Sequence, residues 1–207
     1  MASSHPHRAF AGLRRTAALA ALAALTLAAC APPPPPFNAT EVKGIDYGRG
    51  IGIPDTEGRV RRLEDFKGEV TLLFFGFTRC PDVCPTTLLR LRQARAAVGP
   101  DADKVRVLLV SVDPERDTPA VLGAYVKNFD PSFVGLRPEP AQLKAVVKAF
   151  HAIAVKVPVG DAGDYTIDHS GTIYVYDRRN RMRLIAQPDF DIAKFAEDLR
   201  RLAKEKA

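Results

Sequence analysis

Val70 to Phe77 (VTLLFFGF) is almost wholly apolar, and only a strand buried on both faces reads that way. Val105 to Val112 (VRVLLVSV) repeats the pattern and predicts a second buried strand. Between them, Leu88, Leu91, Ala94 and Val98 recur at helical spacing, while Arg90, Arg92 and Arg95 fall mainly elsewhere, and Gly99-Pro100 marks the stop. Val60 to Phe66 predicts a short edge strand running into a turn, punctuated by Gly58 and Gly68. Thr118-Pro119 supplies an N-cap and a first-turn proline for a helix reaching about Phe129. Phe133 to Leu136 reads as a short strand, and Pro140 opens a third helix with Leu143, Val146, Val147 and Phe150 inward. Thr172 to Tyr176 and Met182 to Ile185 predict a hairpin around Asp177 to Arg181. A last helix buries Ile192, Phe195, Ala196 and Leu199 and ends in a basic tail. The sum is an α/β sandwich, a central mixed sheet with parallel crossovers, a terminal hairpin and flanking helices.

The N-terminus breaks this pattern. Arg8, Arg14 and Arg15 precede a run from Ala17 to Ala29 in which only Thr26 is polar. That run falls short of the ~20 residues of a membrane-spanning helix and fits a secretory signal. It ends Leu27-Ala28-Ala29-Cys30, which resembles a bacterial lipobox, so residues 1–29 are expected to be a signal peptide and Cys30 the lipidated first residue. The expected product is an exported lipoprotein, membrane-anchored with its domain on the periplasmic or extracytoplasmic side. Arg14-Arg15 leaves the export route open, and Ala31 leaves the choice of membrane open. Pro32 to Pro36 form a stiff tether of roughly 15 Å at ~3.1 Å per residue. With the linker after it, the tether occupies 30–44, and the folded domain is expected over 45–207.

Composition is ordinary for a globular chain, at 46% hydrophobic and 26% charged, which excludes wholesale disorder. The formal charge of +6 includes the three leader arginines. The remaining excess is mild and scattered, with no aromatic-rich basic stripe, which argues against nucleic acid as a partner.

Cys80 and Cys84 are the only cysteines apart from Cys30. A structural disulfide closing so short a loop would stabilise little. The pair instead sits where a central strand ends and a helix begins, the place where open α/β sheets bind ligands. A helix N-terminus there favours the thiolate, which serves as nucleophile or metal ligand. Two chemistries fit, dithiol–disulfide exchange and binding of a soft metal, and the cysteine spacing alone does not decide between them.

The stretch Phe74-Phe75-Gly76-Phe77-Thr78-Arg79-Cys80-Pro81-Asp82-Val83-Cys84-Pro85-Thr86-Thr87-Leu88 closely resembles the signature of the Sco/SenC family of copper chaperones. Two further blocks match it in order, Ser111-Val112-Asp113-Pro114-Glu115-Arg116-Asp117-Thr118-Pro119 and Asp164-Tyr165-Thr166-Ile167-Asp168-His169-Ser170. The resemblance covers roughly residues 45–205. It implies a thioredoxin-like fold and places Cys80, Cys84 and His169 at the copper ligands. It also implies that Cys80 and Cys84 can close as a redox disulfide in the metal-free protein. The cargo would be copper(I), and the family suggests copper(II) as well. The implied role is a chaperone, not an enzyme. It would take copper from a periplasmic donor and load the binuclear site of cytochrome c oxidase subunit II. The alternative is a thiol–disulfide oxidoreductase that keeps the oxidase cysteines reduced.

Thioredoxin-like oxidoreductases place a cis-proline before the strand facing their cysteines, but Ile167 to Thr172 contains no proline and offers His169. A histidine can ligate a metal there, and a proline cannot. A thiol peroxidase fits poorly, since Thr78 stands two before Cys80 without the expected proline and the chain has no tryptophan. Asp168 is expected either to orient His169 or a partner, or to be a solvated turn carboxylate. His151 reads as a structural or surface residue. Asp113 reads as part of a turn and Asp117 as helix-start chemistry, both outside the site.

Overall fold

The buried strands form the centre of the molecule because their sequence leaves no polar face to expose. In this computed structural model, which describes residues 35–160 and 163–207, β4 (Val70–Gly76) is buried at every position. It pairs in parallel with β5 (Val105–Ser111), from Val70 against Val105 to Gly76 against Ser111. β6 (Val134–Leu136) extends the parallel set beside β5. On the other side, β9 (Ile173–Tyr176) runs antiparallel to β4, and β10 (Met182–Ala186) antiparallel to β9. With β1 (Thr40–Glu41) beside β10, the six-stranded order is β1-β10-β9-β4-β5-β6.

Among the described residues, four helices flank this sheet: α1 (Val83–Ala97), α2 (Pro119–Phe129), α3 (Leu143–Ala149) and α4 (Ile192–Lys204). The predicted face of α1 is the buried one, with Leu88, Leu91 and Ala94 fully enclosed and Val98 next to them. α1 lies beside α4. Gly99 ends α1 in the left-handed region (φ 80°), and a 3-10 turn, Gly99–Lys104, leads into β5. The Thr118 hydroxyl caps α2 by accepting from the Val121 N–H.

Four expectations change. The fold starts before Ile45, because β1 (Thr40–Glu41) pairs with β10 at Ile185 and Leu184. The buried Asp198 of α4 holds this strand by accepting from the Asn38 and Ala39 backbone N–H groups at 3.0 and 2.8 Å. The predicted edge strand is only Val60–Arg61 (β3), paired with β2 (Ile53–Pro54) in a separate ribbon, and Leu63–Phe66 is a 3-10 turn. α3 begins at Leu143, since a turn from Glu139 to Gln142 precedes it. Finally, Ala154–Val159 (β7) and Asp164–His169 (β8) form a hairpin outside the main sheet that the sequence did not disclose. The signal for it was present in Val155, Val157 and Val159 at period two before Gly160 and Gly163. Pro158 argues against a central strand, and the first and last of those valines are exposed.

The expected signal peptide, the expected lipidation site Cys30 and the first prolines lie outside the described residues. Among the described residues, no helix is long and apolar enough to cross a membrane.

Candidate metal centre

β4 and β5 end together, and the chain leaving β4 turns through Phe77 to Cys80, whose N–H bonds the Phe77 carbonyl at 3.3 Å. α1 begins three residues later. The Asp82 side chain at its N-cap position accepts no backbone N–H. A sulfur takes over part of that role, because the Cys84 N–H points at Cys80 Sγ at 3.3 Å. Pro85 also suits the first turn, where an N–H would have no helical partner. Cys84 is fully buried, Cys80 is partly exposed, and both are free thiols.

His169 arrives from the opposite side as the last residue of β8. Its Nε2 lies 3.3 Å from Cys84 Sγ, and its Nδ1 lies 3.1 Å from the Ser170 carbonyl oxygen. With the proton on Nδ1 donated to that carbonyl, Nε2 presents its lone pair to the cysteines. The ring stands edge-on to Phe74 and Phe77, with centroids at 6.0 and 5.7 Å, so its orientation is fixed by aromatic walls. Cys80 Sγ, Cys84 Sγ and the imidazole donor all lie within 4.8 Å of one another. The structure therefore brings together the three residues singled out from sequence.

The thiols are unequal. The hydrogen bond from Cys84 is the main cause that pulls the Cys80 pKa down to about 4, helped by the backbone N–H groups of Cys84 and Asp82, while burial opposes the shift. Cys84 is pushed strongly upward by that same bond to Cys80 and by burial. The metal-free centre is thus a Cys80 thiolate beside a Cys84 thiol.

Gly76 makes the buried sulfur possible. A Cβ at this position would sit 2.8 Å from Cys84 Sγ. Glycine here serves close approach and not a special backbone angle.

Asp168 does not orient His169. The alternation of β8 points neighbouring side chains to opposite faces, so Asp168 is exposed while Ile167 is buried, and the Ser170 carbonyl faces Nδ1 instead. His151 is an exposed residue at φ 50° stacked on Tyr47 at 4.4 Å. Asp117 is more than a helix-start residue. It is wholly buried and accepts from the Thr78 and Ser111 hydroxyls at 2.6 Å each, which ties the turn before Cys80 to the end of β5. Burial is the first cause that raises its pKa. A buried, hydrogen-bonded carboxylate is a tertiary property, and Asp117 beside Thr118-Pro119 gave no local sign of it.

Comparison with known proteins agrees with this geometry. The SCO1/SenC family model matches residues 47–204. A SCO2-like protein of Rickettsia prowazekii is 35% identical over 146 residues, covering 70% of this chain and 71% of that one. The structure of Bradyrhizobium japonicum ScoI with copper bound is 41% identical at a TM-score of 0.69, covering 76% of this chain and 99% of that one. The solution structure of apo Sco1 from Thermus thermophilus is 37% identical at a TM-score of 0.68, covering 81% and 95%. The mixed sheet with its flanking helices is a thioredoxin-like sandwich. A match that takes in β4, the cysteine turn, the loop after β5 and the strand bearing His169 extends over most of the chain, and this chain belongs to the SCO1/SenC family.

Proposed function

We propose that this protein is a copper chaperone that binds copper through Cys80, Cys84 and His169 and delivers it to the binuclear copper site of cytochrome c oxidase subunit II. The observation that carries the reading is the convergence of two sulfurs and one imidazole nitrogen within 4.8 Å of one another. The donor set fits the cargo, since thiolates and imidazole suit soft copper(I). Copper binding would take the proton from Cys84, so uptake is linked to thiol deprotonation and requires the reduced pair. The relative solved with copper bound supports this choice of metal, and membership of the SCO1/SenC family supports the role in oxidase assembly. Cys30 as lipid anchor and the proline tether would hold the domain near a membrane-bound acceptor, and a periplasmic carrier would supply the copper.

The test is anaerobic titration of the reduced protein with copper(I), comparing native protein with His169→Ala. One-to-one binding that weakens sharply in the variant is expected. Equal affinity in both removes the histidine from the site.

A second reading rests on the unequal thiols. A Cys80 thiolate backed by a buried Cys84 thiol can attack a partner disulfide, release one partner thiolate and form a mixed disulfide. Cys84 then resolves it, which leaves the partner reduced and Cys80–Cys84 oxidised. This activity needs no histidine, so exchange that survives His169→Ala beside unchanged copper binding would favour it.

A further inference from the structure

The β7–β8 hairpin carries a proposed donor but has little core of its own. Among its described residues only Ile167 is buried. Tyr165, Ile167 and His169 share one face of β8 by strand alternation. His169 reaches the cysteines at one end of that face. At the other end, roughly 14 Å away at ~3.4 Å per residue, Tyr165 meets the loop that follows β5.

That contact is a built network. The Tyr165 hydroxyl donates to Asp113 Oδ1 at 2.8 Å, and Asp113 is fully buried. Arg116 donates through Nε to the other Asp113 oxygen and through Nη1 to the Tyr165 carbonyl at 2.8 Å and Asp164 Oδ1 at 3.1 Å. Its guanidinium also lies over the Tyr165 ring, 3.7 Å from the centroid. From the hairpin's other strand, Lys156 pairs with Glu115 of this loop, and both side chains are exposed.

The same loop grips the cysteine side. Asp117 lies one helical turn beyond Asp113, with its N–H on the Asp113 carbonyl at 2.8 Å, and holds Thr78. Arg137 fixes the loop by donating to the carbonyls of Pro114 and Asp117 at 2.7 and 2.9 Å. One short segment therefore spans both halves of the centre, with Asp117 toward the cysteine turn and Asp113 with Arg116 toward the histidine strand.

We propose that Asp113, Arg116 and Tyr165 form a latch that seats the β7–β8 hairpin and thereby presents His169 to the cysteine pair. They are positioning residues and touch no cargo. Their effect on copper rests on the copper reading above, whereas their effect on the hairpin does not.

The experiment has two arms. In the metal-free protein, hydrogen exchange is followed for native, Arg116→Gln, Tyr165→Phe and, as a control, Lys156→Ala chains. The first two variants are expected to speed exchange of the β7–β8 amides while β4, β5 and β9 keep native rates. Acceleration spread evenly over the sheet, or none, overturns the latch. In the second arm, copper(I) affinity is measured by competition with a chromophoric chelator in a cycle with His169→Ala. Arg116→Gln should weaken binding about ten- to a hundred-fold, the scale for residues that support a ligand, and add nothing once His169 is gone. An equal loss in both backgrounds also overturns it. If native protein binds no copper, the functional reading falls and the exchange arm alone decides the latch. If Arg116→Gln does not fold, Tyr165→Phe, which deletes one hydroxyl, carries both arms.

Discussion

Gly76→Ala puts the smallest possible wedge behind the metal centre. The added methyl would lie 2.8 Å from Cys84 Sγ and 3.1 Å from both Leu109 Cδ1 and Phe74 Cε1. Comfortable non-bonded separations are about 3.5–4.0 Å, so the sulfur must retreat by roughly 0.7–1.2 Å or the strand must shift. Neither movement is easy, because Cys84, Phe74 and Leu109 are all enclosed in the core. Overpacking of this kind costs about 1–3 kcal/mol. Alanine recovers roughly 0.5–1 kcal/mol over glycine in a strand, since the unfolded chain has less freedom to lose. The net is a loss of about 0–2.5 kcal/mol. The displaced sulfur is the larger consequence, because a donor moved by about 1 Å no longer meets its partners. The expected result is a protein that still folds cooperatively, with a urea midpoint native or lowered by up to about 1 M and copper(I) affinity lowered about ten-fold or more. An anaerobic chelator competition read beside a urea titration separates the two quantities. Native affinity in Gly76→Ala would show that the sulfur relaxes freely and that Gly76 does not shape the site.

Two further outcomes test other parts of the structure. With its pKa down at about 4, Cys80 is a thiolate at every pH above that value, so iodoacetamide should label it at a nearly constant rate between about pH 5 and 8 while buried Cys84 stays silent. A Cys80 rate rising roughly tenfold per pH unit across that range would contradict the stabilised thiolate. Asp198→Ala should leave the Asn38 and Ala39 N–H groups without their acceptor and cost about 1–3 kcal/mol, exposing Lys43 to trypsin faster than in native protein. Unchanged cleavage at Lys43 would mean that the pairing of β1 with β10 holds the segment by itself.

The legibility of the fold follows burial. β4, β5 and α1 were readable because a strand covered on both faces, or a helix with one covered stripe, must write that environment into consecutive residues. The β7–β8 hairpin has no such obligation, since Val155 and Val159 are exposed and the ladder is made of backbone groups that any sequence carries. β1 was hidden for another reason. Its anchor is a carboxylate 160 residues away, and nothing around Asn38 signals that Asp198 will be there. The cysteines were legible as a reactive pair, but their inequality was not. It arises from burial of one sulfur and from a helix N–H directed at the other, and both depend on the assembled turn. Asp113 and Asp117 illustrate the same limit. In sequence they look like turn residues, and only the packed structure shows two fully buried carboxylates joining the cysteine turn to the histidine strand.

The three donors consequently rest on three different supports. Cys84 is embedded in the core against Gly76, where displacement means repacking Phe74 and Leu109. Cys80 stands at the junction of strand and helix, partly exposed, and is held by a turn that Asp117 ties to β5. His169 stands on a hairpin with a single fully buried side chain among its described residues, Ile167, with Ala154 and Tyr165 packed partly against the core and polar contacts from Asp113 and Arg116. A resident cofactor site would gain from equal rigidity in all three. A chaperone has the opposite requirement, because its cargo must be held against loss and still be surrendered to another protein's ligands. Hydrogen bonds to charged groups contribute only about 1.5–3 kcal/mol each, which an acceptor surface can offset by its own contacts, whereas a sulfur packed in the core is not so easily moved. On the copper reading, graded support lets the exposed side of the site yield while Cys84 retains the metal, so transfer can proceed through an intermediate shared by both proteins and copper need never be free in solution.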